Sequence, residues 1–166
     1  MKKFVTDMIL ALSILSLQAC SSKEYERKVT AAEVPPAVLQ AFAKAYPNAE
    51  VRGYGEEAEG DEKLYEISFT NDGKRIDVAY ASDGKLLEVE ETIPNEDLPA
   101  SMQDEIRKQF KQFEIKRVER IMKSERRFYE AQIDVKADGV TKRYELVFAE
   151  DGTPLEKEVD SEDEEE

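Results

Sequence analysis

The feature that most constrains this chain is an internal duplication. Leu98-Pro99 repeats Val34-Pro35, and Met102, Ile106 and Phe110 repeat Val38, Phe42 and Tyr46. Glu114-Ile115 repeats Glu50-Val51 and Tyr129-Glu130 repeats Tyr65-Glu66, all at one constant offset. The second copy has a slightly longer hairpin, Ala137-Asp138-Gly139 against Asn71-Asp72-Gly73. Beyond it the match resumes: Tyr144, Leu146 and Phe148 stand for Ile76, Val78 and Tyr80, and Glu150-Asp151-Gly152 for Ser82-Asp83-Gly84. A chain that repeats itself at this length folds as like units placed side by side.

Each unit reads as one helix and about four strands. Val38, Ala41, Phe42 and Ala45 recur at helical spacing after Pro35-Pro36, and proline is tolerated in a first helical turn. Val51 to Tyr54 suggests a first strand, followed by an acidic loop, Glu56–Glu62. Tyr65, Ile67 and Phe69, then Ile76, Val78 and Tyr80, alternate with polar residues as half-buried strands do. The Asp-Gly pairs at Asp72, Asp83, Asp138 and Asp151 supply hairpin turns. They lack the acid spacing of an EF-hand, so no metal site is assigned.

One apolar helix stripe and one apolar sheet face bury each other. The expected fold is therefore α+β: two tandem helix-plus-antiparallel-sheet repeats, over 34–93 and 94–159, forming one sheet of up to eight strands. Both helices lie on one face and the other face is open. By strand parity the open face carries Leu64, Glu66, Ser68, Arg75, Asp77, Glu88, Phe128, Glu130, Gln132, Arg143 and Glu145. Of these, Glu66, Asp77, Phe128, Glu130, Arg143 and Glu145 are taken as candidate partner-binding residues.

Several chemistries are excluded by composition. The chain has no His, which removes the commonest general base and transition-metal ligand, and its single Cys is Cys20. No phosphate-cradling glycine motif is present, and carboxylates are too numerous for any pair to mark an acid–base site. No catalytic residue and no cofactor is assigned, and the chain is not expected to be an enzyme. A net charge of −14 opposes sequence-independent nucleic-acid binding, which needs Lys and Arg on phosphates. A basic stretch, Arg107 to Arg127, is a possible edge for an acidic partner or simply the complement of nearby acids. The block Val159–Glu166 is expected to be disordered through self-repulsion, with the acidic tail assigned to 160–166.

The N-terminus carries an address. Lys2 and Lys3 precede an apolar run, Met8–Leu17, too short for a permanent span. The run ends in Leu17-Gln18-Ala19-Cys20, which resembles the lipobox of bacterial lipoproteins. That resemblance implies a signal peptide over 1–19, lipidation of Cys20 and a tether over 20–33. Ser21 and Ser22 after the cysteine imply the outer membrane rather than the inner.

The whole pattern resembles the PepSY-like, beta-lactamase-inhibitor-like family of the bacterial envelope. The residues that carry it are Val34-Pro35, a helix ending in Tyr46-Pro47-Asn48-Ala49, Tyr65-Glu66-Ile67, and the two Asp-Gly turns, the second followed by Lys85-Leu86-Leu87. The resemblance implies tandem helix-and-sheet repeats and a function in binding or inhibiting another protein. The expected function is a lipid-anchored periplasmic module that binds an envelope protein, an inhibitor where that partner is a hydrolase. The alternative is a sensor or carrier of a small envelope ligand or divalent cation. A hydrolase built on paired carboxylates requires a pocket with converging acids.

Overall fold

The computed structural model describes residues 25–59, 62–137 and 139–159. Within them the chain forms one antiparallel sheet of nine strands in sequence order, with two helices. The strands are β1 (Tyr25–Val29), β2 (Glu50–Glu59), β3 (Glu62–Asn71), β4 (Lys74–Ala81), β5 (Leu86–Ile93), β6 (Phe113–Lys123), β7 (Arg126–Ala137), β8 (Val140–Ala149) and β9 (Pro154–Val159). Helix α1 (Pro36–Ala45) lies between β1 and β2, and α2 (Ala100–Gln109) between β5 and β6.

Cross-strand pairing fixes the faces. Val78 pairs with Val89 on β5, and Ile93 of the same strand and parity pairs with Val118 on β6. Val78 packs with α1 and Val118 with α2, so both helices cover the same face. Each copy has its own core. Val38 and Phe42 of α1 meet Tyr65, Ile67, Phe69, Val78 and Tyr80, with the Phe42 and Phe69 rings 5.0 Å apart edge to face. Met102 and Ile106 of α2 meet Val118, Ala131, Ile133, Leu146 and Phe148. Full burial of one such side chain stabilises by about 1.5–3 kcal/mol, so each helix is held by its stripe. Prolines cap both starts, Pro35 and Pro99, without side-chain caps.

The duplication extends to the irregularities. Bulges interrupt the ladder at Arg52 and Lys116, and again at Leu87 and Leu155. In both copies the second Asp-Gly turn tucks against the first turn of the helix. A Cβ on Gly84 would lie 2.7 Å from the Ala37 carbonyl oxygen, and one on Gly152 would lie 2.8 Å from Ser101 Oγ. Both glycines also have positive φ, 87° and 91°. Asp83 and Asp151 each accept a backbone N–H two residues on, at 2.9 Å, which is turn chemistry.

Three expectations need correction. The sheet has nine strands rather than eight, because Tyr25–Val29, within the expected tether 20–33, pairs with β2. The cause is the repeat itself: Val29 pairs with Tyr54 as Ile93 pairs with Val118, in equivalent register. So β1 does for copy one what the end of β5 does for copy two. The acidic loop expected over Glu56–Glu62 is mostly strand, since β2 runs to Glu59 and β3 begins at Glu62. The acid at its start is compensated: Glu56 accepts from Tyr25 Oη at 2.6 Å and pairs with Lys63 at 3.1 Å and Arg27 at 3.3 Å. Val159, expected to begin the disordered tail, ends β9. The signal peptide, Cys20, Asp138 and the tail 160–166 lie outside the described residues.

Candidate functional site on the open sheet face

The face away from the helices is crossed by rows of paired residues. One row runs Ser68, Asp77, Glu90, Ile121, Phe128 and Ala149, and the next includes Thr92, Glu119, Glu130, Val147 and Glu156. Glu66, Asp77, Phe128, Glu130, Arg143 and Glu145 all fall on this face, in the parity expected. They do not form one cluster. Glu66 accepts a hydrogen bond from Ser68 Oγ at 3.2 Å on the copy-one side. Arg143 holds Asp134 through two contacts, 2.7 and 3.2 Å, and lowers its pKa from the ordinary aspartate value. Glu145 accepts from Gln132 at 3.3 Å, and Phe128 carries the Arg126 guanidinium 5.3 Å above its ring.

Between these margins lies a set of carboxylates, of which strand parity placed Asp77 and Glu88 on the face but did not single out Glu90 and Glu119. Asp77, Glu88, Glu90 and Glu119 are all buried, Glu119 to 2% exposure, on the face opposite α1 and α2. Asp77, Glu90 and Glu119 each bring an oxygen to within 4.8 Å of the others. Buried charges of like sign are costly unless cations and donors compensate them. Arg117 lies 3.4 Å from Glu119 and 3.9 Å from Glu130, and Arg52 lies 3.7 Å from Asp77. Lys123 reaches Glu88 at 3.3 Å, and the Thr92 hydroxyl donates to Glu119 at 3.4 Å. The bulge at Arg52 is what aims that side chain across β3. Toward β9, burial and the adjacent Glu158 push the Glu156 carboxyl above its ordinary pKa.

The basic stretch of copy two is complemented locally. Arg107 and Lys108 pair with Asp104 and Glu105 on α2, Lys116 with Glu114, and Arg127 with Glu150. Arg120 pairs with Glu91. These pairs support the complement of nearby acids over a free basic edge. Among the described residues, the crevice bounded by Glu66, Asp77, Glu88 and Glu90 has no room for a water molecule. Three carboxylate oxygens also fall short of the six to eight that calcium takes, and further ligands would have to come from neighbours or solvent.

This arrangement is a helix-backed antiparallel sheet with a charged face opposite the two helices. The family model described as "Putative beta-lactamase-inhibitor-like, PepSY-like" matches two overlapping regions, residues 21–88 and 63–155, and the chain belongs to that family. Three solved structures share the fold. One from Bacteroides eggerthii, described as "putative periplasmic", has a TM-score of 0.62 and 18% identity over 76% of this chain and 88% of its own. A DUF2874 family protein from Bacteroides uniformis has a TM-score of 0.61 and 14% identity, over 75% and 88%. A BLIP-like protein from Bacteroides fragilis has a TM-score of 0.56 and 19% identity, over 80% and 92%. Among curated proteins none matches.

Proposed function

We propose that this chain is a periplasmic protein-binding module, held to the membrane through lipidated Cys20, preferentially at the outer membrane. Its open sheet face docks an envelope protein, and where that protein is a hydrolase it inhibits it. The observation that carries the proposal is the bare nine-stranded face, whose central carboxylates are already desolvated and paired with Arg and Lys. Charge fixed in place before docking gives orientation and fast association without an ordering cost at the moment of binding. Phe128 and Arg143 are of the residue types that dominate interface energetics. Support also comes from the family description and from the B. fragilis and B. eggerthii names. Among the described residues no helix is long and apolar enough to cross a membrane.

The test is inhibition and binding against a panel of purified envelope hydrolases, serine beta-lactamases included. The chain is expected to bind one of them, and Phe128→Ala with Arg143→Glu is expected to weaken binding at least tenfold. Equal affinity of the variant would place the contact elsewhere.

A second function has one observation in its favour, the convergence of Asp77, Glu90 and Glu119. We propose it as a divalent-cation site, in line with a sensor or carrier role. Millimolar calcium is then expected to raise the melting temperature of the chain but not of Glu119→Gln. An equal rise in both would rule this site out.

A further inference from the structure

On the open face the two copies differ sharply at two neighbouring pairs of equivalent positions. Just after the bulge, β6 carries Arg117 and Glu119 where β2 carries Gly53 and Gly55. Their cross-strand neighbours correspond: Gln132 and Glu130 in copy two, Ser68 and Glu66 in copy one. In copy two the Arg117 guanidinium lies between Glu119 and Glu130, at 3.4 and 3.9 Å. In copy one the two missing side chains leave a trough of about 370 Å³ between β1 and β3. Lys28, Glu57, Leu64, Glu66 and Ser68 are among its walls, and Arg52 stands at one end, drawn toward Asp77.

Nothing in the backbone demands these glycines. Neither is among the residues with positive φ. A Cβ at Gly53 would meet nothing within 4 Å, and one at Gly55 would make ordinary contact with Glu66 Cβ at 3.5 Å. Glycine inside a strand weakens it and often marks the close approach of a ligand or another chain. Among the described residues no close approach occurs here, so the effect of Gly53 and Gly55 is to keep the trough open.

We propose that the trough is the subsite for an arginine side chain of the docked protein. Its stem lies along Gly53 and Gly55 and its guanidinium pairs with Glu66, as Arg117 pairs with Glu130 in copy two. The choice of a cation follows from that internal precedent and from Glu57 and Glu66 in the walls. The inference deepens the docking proposal by naming a partner group, but its test needs no partner, so the two can fail separately.

The test is a titration of the isotope-labelled protein with N-acetyl-arginine methylamide, followed by amide chemical shifts. The neutral citrulline analogue is the control. Saturable shifts are expected at Gly53, Gly55 and Ser68, several-fold weaker for citrulline and for Glu66→Gln. They should vanish in Gly53→Arg, which builds the copy-two side chain into space that is free for it. Absent shifts, equal binding of citrulline, or shifts that persist in a folded Gly53→Arg would overturn the proposal.

Discussion

Glu119 and Glu56 show how single acids are held in opposite settings. Glu119 is buried on the open face beneath Arg117, and removing one partner of a buried pair leaves an uncompensated charge. Arg117→Met is therefore expected to destabilise by about 3 kcal/mol in denaturant melts. Arg107→Met, which breaks an exposed i,i+3 pair on α2, should cost under about 0.5 kcal/mol. Glu56 sits on the helix side of β2, where the Tyr25 hydroxyl above all, then Lys63 and Arg27, bring its pKa from 4.5 down to about 2. A carboxylate depressed on folding stabilises above its unfolded value, and this contribution disappears as pH falls from about 4.5 to about 2. Glu56→Gln should thus lower the melting temperature at neutral pH and flatten its acid dependence across that window. Gly84 is constrained both by its positive φ and by Ala37, so Gly84→Ala should cost more than about 1 kcal/mol. Gly55→Ala, free of both constraints, should be neutral or stabilising.

At the scale of elements, β1 is the part the sequence concealed. Tyr25–Val29 is short, charged and exposed along most of its length, so no alternation of apolar residues announces a strand. Its signal lies in the repeat, since Val29 stands to Val34 as Ile93 stands to Leu98, and extending the duplication upstream would have found it. The helices, hairpins and Asp-Gly turns were legible because buried stripes and turn residues leave periodic marks. The extension of β2 through Glu56–Glu59 was not, because acids that succeed in a strand depend on cations from β1 and β3. Parity also placed the open-face residues, whereas the grouping of Asp77, Glu90 and Glu119 required knowing how copy one joins copy two. β1 makes its own prediction: a chain starting at Thr30 exposes the edge of β2 and removes two partners of Glu56. Its melting temperature should fall by several degrees relative to one starting at Tyr25, and an unchanged melting temperature would show β1 to be an ornament of the sheet.

At the scale of the molecule, the duplication builds a single sheet whose two sides differ in character. One side is consumed by two cores, each closed by its own helix. Among the described residues the other is left bare, with paired charges at its centre and Phe128 and Arg143 toward copy two. The two apolar cores lie on the helix side, and the proposed docking surface is the open side. The most direct test uses three baits in parallel against an envelope extract: the native chain, Phe128→Ala with Arg143→Glu on the open face, and Arg107→Glu with Lys108→Glu on the outer surface of α2. A partner retained by the native chain and the helix variant but lost by the open-face variant is the predicted result. A partner kept by the open-face variant and lost by the helix variant would contradict the account.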